Sequence, residues 1–281
     1  MASNGESPAT DPLAAAVRAA LNRQADEPIS PDDFGKVETL NLGHATDAVL
    51  ARLAPFSVLR SLLLLGARVT DAGFAHLQAL PLLETLDLRQ TGVTDAGLAH
   101  LMGIPHLRTL FLGHTKVTDA GMEHLKRLAA LESLSLGAAR VGDAGLAHLK
   151  ELPNLRHLYL GGTQVTDDGT VHLQTMTGLR GLYLEGVQVT DAGVARLRVL
   201  TGLEALCLGG TSISDAAAEH ARALAHLRQL SLFSCRRVTD AALPAIAELK
   251  SLGFVNLRDT SVTPDGAARL RAALPSCIVS Y

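Results

Sequence analysis

The chain has 281 residues, 47% hydrophobic and 19% charged, so it holds ample core material and is not intrinsically disordered over most of its length. Its 25 basic and 28 acidic side chains leave a formal charge of −3, which gives no global field for phosphate backbones or anionic lipid, so neither nucleic acid nor membrane is expected as a partner. Aromatics are only 3%, with no Trp, so the core must be aliphatic and any aromatic outside it is informative. Three cysteines, Cys207, Cys235 and Cys277, cannot build a disulfide framework and fit a reducing, cytoplasmic setting.

In chain order, residues 1–12 are polar, lack the basic and apolar regions of a secretory signal, and are expected to be disordered. Residues 13–36 are expected to be helical, with Leu13, Val17 and Leu21 at i, i+4, i+8 and a second short segment from Pro28 to Phe34. No stretch reaches the roughly 18 apolar residues of a membrane span.

From Val37 onward a single string recurs. VTDAG or a close relative begins at Val69, Val93, Val117, Val141, Val165 and Val189, with further variants at Ala45, Ile213, Val238 and Val262; the interval is 24 residues throughout, except 25 from Ile213 to Val238. One unit, Leu83 to His106, shows what each position does. Leu83, Leu86 and Leu88 are interleaved with polar residues in the pattern of a short strand with one buried face. Thr94 suits a helix N-cap and Asp95 the first turn, where a carboxylate meets the positive end of the helix dipole; Leu98 and Leu101 follow at helical spacing. In the last copy Pro264 follows the cap Thr263, and proline is favoured at the first helical position. One strand and one helix cannot bury these leucines alone. The units must stack, with parallel strands on one face and helices on the other.

The pattern Leu-x-x-Leu-x-Leu-x-x-Thr-x-Val-Thr-Asp-Ala-Gly-Leu resembles the leucine-rich-repeat family, in the VTDAGL form common in bacterial proteins. The copy with Leu227, Leu230, Leu232, Cys235 and Val238-Thr239-Asp240 is similar to the cysteine-containing subtype of F-box leucine-rich-repeat proteins. The resemblance implies an α/β solenoid, a curved horseshoe with parallel strands on the concave face and short helices on the convex face. It implies a helical N-terminal cap over residues 13–36 and about ten repeats over residues 37–281, ending in a terminal strand at Cys277–Tyr281. It also implies a non-enzymatic, monomeric protein-binding scaffold using the concave face. The alternative is the substrate-recognition module of an exported bacterial effector or a ubiquitin-ligase-like adaptor, although no F-box-like segment fits the first 33 residues.

Motif-like ladders follow from the repeat itself. His76, His100, His124, His148, His172 and His220 recur on the helices, with Arg196 interrupting, at a spacing too wide for neighbours to share a metal ion. Gly161-Gly162-Thr163 and Gly209-Gly210-Thr211 fall where each strand turns toward its helix, so turn sterics explain them without a phosphate loop. No nucleophile elbow, zinc-binding helix or Walker loop is present, and no catalytic, cofactor or metal residue is expected.

The outward strand positions have no core duty. Phe111, Tyr159, Tyr183, Phe233 and Phe254, five of the nine aromatics, fall there, and with His157 they are the candidate partner-binding surface. Strand propensity and mutual shielding are the plainer account of the same residues. Charges after the first leucine run Arg60, Glu84, Arg108, Glu132, Arg156, Arg180, Glu204, Arg228; Arg156 and Arg180 break the alternation beside the two tyrosines. They are read as the rim of the surface, with solvated charges as the alternative.

Overall fold

A computed structural model describes residues 11–281. The chain divides after Leu131 into two compact units. The first holds α1 (Pro12–Ala20), α2 (Pro31–Phe34), β1 (Thr39–Asn41), α3 (Asp47–Leu50), β2 (Ser61–Leu63), a 3-10 helix (Asp71–Ala79), β3 (Thr85–Asp87), α4 (Asp95–Leu101), β4 (Thr109–Phe111) and α5 (Asp119–Leu125). The second holds β5 (Ser133–Ser135), α6 (Asp143–Leu149), β6 (His157–Tyr159), α7 (Thr170–Leu173), β7 (Gly181–Tyr183), α8 (Asp191–Leu197), β8 (Ala205–Cys207), α9 (Asp215–Ala221), β9 (Gln229–Ser231), a 3-10 turn (Asp240–Ala242), α10 (Leu243–Ala247), β10 (Phe254–Asn256), α11 (Pro264–Ala273) and β11 (Ile278–Ser280). Within each unit the strands pair in parallel with their sequence neighbours, leucine opposite leucine, as with Leu62, Leu86 and Leu110 in the first and Leu158, Leu182 and Leu206 in the second.

The expected disordered stretch over residues 1–12 falls mostly outside the described residues. Of its last two residues, Asp11 caps α1 by accepting the Leu13 N–H at 3.1 Å and Pro12 opens the helix. Arg52 fixes this start through a 2.7 Å ion pair with Asp11, whose carboxyl is held below its ordinary value chiefly by that arginine. Leu13 and Val17 are buried, and α1 packs on β1. This covers a sheet edge that would otherwise offer unpaired backbone groups. Asp33 completes the cap: it accepts two bonds from Arg23 at 2.7 Å and one from the Ser30 N–H at 2.8 Å.

The T-D-A-G string has a second role beyond starting helices. Most of the threonines cap as expected: Thr94, Thr118 and Thr190 accept a backbone N–H two residues on, at 3.3 Å, whereas Thr46 and Thr70 make no such side-chain bond and α7 is capped by Gly169 rather than Thr166. The aspartates, most of which sit in their own helix's first turn, reach the next repeat's cap position. In the first unit Asp47, Asp71 and Asp95 each take the backbone N–H and the hydroxyl of Thr70, Thr94 and Thr118 at 2.6–2.9 Å. In the second, Asp143, Asp167, Asp191, Asp215 and Asp240 do the same to Thr166, Thr190, Ser214, Thr239 and Thr263 at 2.6–2.8 Å.

The glycine follows from the clasp. A Cβ on Gly97 or Gly193 would fall within 2.5 Å of Oδ1 on Asp71 or Asp167. Ala217 and Ala242 stand at the same place, and there the clasps of Asp191 and Asp215 still close, so one methyl can be accommodated with adjustment.

Three helices depart from expectation, one of them α7, which begins only at Thr170 after a turn over residues 167–169. Residues Asp71–Ala79 are wound as a 3-10 helix. Near residue 240 the helix splits into a 3-10 turn and α10, because Pro244 lacks the N–H that a continuous α-helix would use and its ring would crowd the preceding turn.

Candidate functional site

The site lies on the sheet face of the second unit. Leu158 and Leu182 are fully buried, so the period-2 geometry of β6 and β7 turns His157, Tyr159, Gly181 and Tyr183 to the opposite, open face. Tyr159 and Tyr183 are direct register partners, and their rings stack with centroids 4.1 Å apart and planes 10° from parallel. Both are half-buried.

Gly181 permits this arrangement. A Cβ there would meet His157 Nδ1 at 2.6 Å, Tyr183 Cε2 at 2.9 Å and the Tyr183 hydroxyl at 3.2 Å, so imidazole and phenol converge over the glycine from two sides. The Nδ1 of His157 is buried and has no hydrogen-bond partner among the described residues. A buried polar atom left unsatisfied is costly and is rare in folded proteins.

Cys207 follows Tyr183 in register on β8 and is 4% exposed. Burial, and then the Glu185 carboxylate, push its thiol up to about 12. Burial also raises the Tyr183 phenol above its ordinary 10.0, with Tyr159 adding to the effect. Both groups are therefore neutral at neutral pH. Glu185 is exposed as a residue, yet its carboxyl end turns down onto the sheet, with Oε2 3.5 Å from the place a Cβ on Gly161 would take. That enclosure raises its pKa. Sequence reasoning missed both Glu185 and the bearing of Cys207 on Tyr183.

Arg156 and Arg180 stand at the N-terminal ends of β6 and β7. Each donates Nη1 to a backbone carbonyl of the following repeat, Gly178 and Gly202 respectively, at 2.9 Å. The alternating ladder is present in part: Arg60 pairs with Glu84 in the first unit, and Glu204 lies 4.0 Å from Arg180 and 3.8 Å from Arg228 in the second. Exposed pairs of this kind add little stability.

The other expected residues are placed apart from the stack. Phe254 opens β10, opposite Gln229 and Ile278, and Phe233 follows β9, 43% exposed. Phe111 belongs to the first unit, where the Arg89 guanidinium lies 5.1 Å from its ring centroid and is held by Asp87 at 2.6 Å. The histidine ladder runs along the helices at exposed or partly exposed positions. Cys235 is buried and donates to the Leu208 carbonyl at 3.2 Å, on the turn where other repeats place a threonine hydroxyl.

These repeats are those of a leucine-rich-repeat fold. A family model described as Leucine Rich repeat matches residues 79–102, 103–126 and 151–171. An internalin C2 from Listeria monocytogenes is similar in structure, with a TM-score of 0.64 and 24% identity over 79% of this chain and 92% of that one. An internalin (inlF) from the same organism gives 0.51 and 18% over 96% and 94%. A TDR receptor gives 0.58 and 17%, covering 89% of this chain and 43% of the receptor chain. No curated protein matches the sequence. Among the described residues no helix is long and apolar enough to cross a membrane.

Proposed function

We propose that this chain is a non-enzymatic scaffold that binds a protein through the open sheet face of its second unit, centred on Tyr159 and Tyr183. The stacked tyrosine pair carries the reading. Two large aromatic rings stand on a face where the strand pattern requires no core residue, and half-buried aromatics beside charged neighbours have the make-up of interface anchors. The buried Nδ1 of His157 beside them has no hydrogen-bond partner among the described residues, which marks the same spot as unusual. Leucine-rich-repeat folds commonly serve protein binding, and the VTDAGL form points to the bacterial branch of such repeats.

Affinity capture tests the reading. The intact chain and the variants Tyr159→Ala/Tyr183→Ala and His172→Ala are immobilised, and the proteins retained from a cell lysate are identified. The expected result is a set of partners held by the parent and by His172→Ala but lost from the tyrosine variant. Equal retention by all three, or selective loss in His172→Ala, contradicts it.

A further inference from the structure

We propose that the partner is recognised through an acidic, extended segment, with a carboxylate held by Arg156 and Arg180 and an apolar side chain of the same segment resting on the Tyr159–Tyr183 stack. This rests on the protein-binding reading above and adds the chemistry of the partner.

The two arginines are seated in notches made for them. The residue just before the first leucine of each repeat is Val58, Leu82, His106, Ala130, Asn154, Gly178, Gly202, His226 or Ser251. Glycine occurs at this position only in the two repeats that follow Arg156 and Arg180. A Cβ on Gly178 would lie 2.5 Å from Arg156 Nη1, and one on Gly202 would lie 2.9 Å from Arg180 Nη1. A side chain at either place would require the flexible guanidinium end to shift from its position against that carbonyl. The orientation is therefore built twice, in adjacent repeats.

The charge these groups present is not neutralised locally. Among the described residues Arg156 has no carboxylate at ion-pair distance, while Arg180 has Glu204 at 4.0 Å, shared with Arg228. Adjacent parallel strands are about 4.8 Å apart, so two like charges stand side by side where opposite ones would be favourable. A guanidinium fork with donors to spare fits a carboxylate, and two such forks can bridge one or a neighbouring pair.

Tyr159 and Tyr183 lie three residues further along the chain than the arginines, which precede β6 and β7, a span of roughly 10 Å that an extended peptide covers in about three residues. The Tyr183 phenol is uncharged at neutral pH and burial raises its pKa further, so the second contact carries no charge. The net charge of −3 disfavours extended polyanions, so a local carboxylate on a peptide suits this face better than a membrane or a nucleic acid.

Because the chain has no Trp, a Trp-containing peptide can be excited selectively in its presence. The probes are short capped peptides with paired aspartates, asparagines or lysines separated by glycine from a single tryptophan, titrated with the full chain at low salt. The aspartate peptide is expected to bind about three- to tenfold more tightly than the asparagine one, with the lysine peptide weakest. Arg156→Gln/Arg180→Gln should abolish that preference. Gly178→Ala/Gly202→Ala, which keeps both charges but displaces them, should reduce it, and Tyr159→Ala/Tyr183→Ala should weaken all three peptides.

Equal affinities for the aspartate and asparagine peptides, a preference unchanged in the arginine variant, or absence of any peptide binding overturns the inference. So does arginine-dependent binding to phosphatidylserine vesicles with no acidic-peptide preference. Tyrosine-dependent but charge-independent peptide binding overturns the acidic assignment while leaving the protein-binding reading intact. That reading falls separately, if the tyrosine variant retains the lysate partners.

Discussion

The helix-start edge of the repeats and the open sheet face are built from the same period but behave oppositely. At the helix starts Asp, Thr and Gly recur because each repeat must hold the next: Asp167 clasps Thr190 and in doing so leaves room only for a small residue at 193. On the sheet face of the second unit the residues change from strand to strand, from Ser135 to Tyr159, Tyr183, Cys207 and Ser231. Where a contact is repeated, stacking explains it. Where the pattern is broken and the new side chains still pack on one another, as Tyr159 and Tyr183 do in their stack, stacking of repeats does not.

The largest expected effect is on the leucine core that both regions share. Leu182→Ala truncates a fully buried side chain and should cost about 2–5 kcal/mol in equilibrium urea unfolding. A loss as small as that of an exposed substitution would mean the strand register is wrong. Next comes the clasp: Asp167→Ala removes two hydrogen bonds to a carboxylate and should cost roughly 1.5–3 kcal/mol by the same measurement. If it costs nothing, the Asp ladder is only first-turn chemistry and the contrast between the two regions weakens.

A smaller gain is expected at Ala138, which holds φ at +55° in a turn where Gly162 and Gly210 take the same conformation. Ala138→Gly should stabilise by up to about 1 kcal/mol, read from the unfolding midpoint. Gly142 lies at the other extreme. Its φ is −124°, open to any residue, so Gly142→Thr should change the stability by less than about 0.5 kcal/mol, read from the midpoint.

Acid sharpens the contrast from another side. The Asp33 carboxyl is held far below its ordinary 3.8, first by the Ser30 N–H and then by Arg23, and Asp240 is lowered by the backbone N–H and then the hydroxyl of Thr263. A depressed folded value means the stabilisation is complete above 3.8 and is lost as pH falls through the folded values. The cap should therefore loosen only in strong acid, followed by circular dichroism against pH. In Asp33→Asn the part due to this residue should be absent at every pH.

Much of the architecture was legible because it is periodic. The spacing of Leu83, Leu86 and Leu88 located the strands, and Thr94 located a helix start, since both rest on contacts within a few residues. What the sequence hid depends on the distance between repeats. The second partner of Asp71 lies 23 residues away, and the carbonyl that seats Arg156 lies 22 residues away. Neither can be read until the stacking is known. Glu185 was overlooked because nothing local marks it; only its folding down over Gly161 and beside Cys207 gives it a role. Gly178 and Gly202 did carry a usable signal, being the two glycines in a column otherwise filled by larger side chains.

The central claim is that the broken part of the pattern is the working part, and the three tyrosines of the chain allow a direct test. Tyr159 and Tyr183 form the proposed contact, whereas Tyr281, 45% exposed beyond β11, serves as an internal reference. Tyrosine nitration followed by peptide mass spectrometry, with and without the captured partner, reports all three at once. The account predicts that the partner protects Tyr159 and Tyr183 while Tyr281 is modified as before. Protection of Tyr281 alone, or unchanged modification of the stacked pair in the complex, would contradict it.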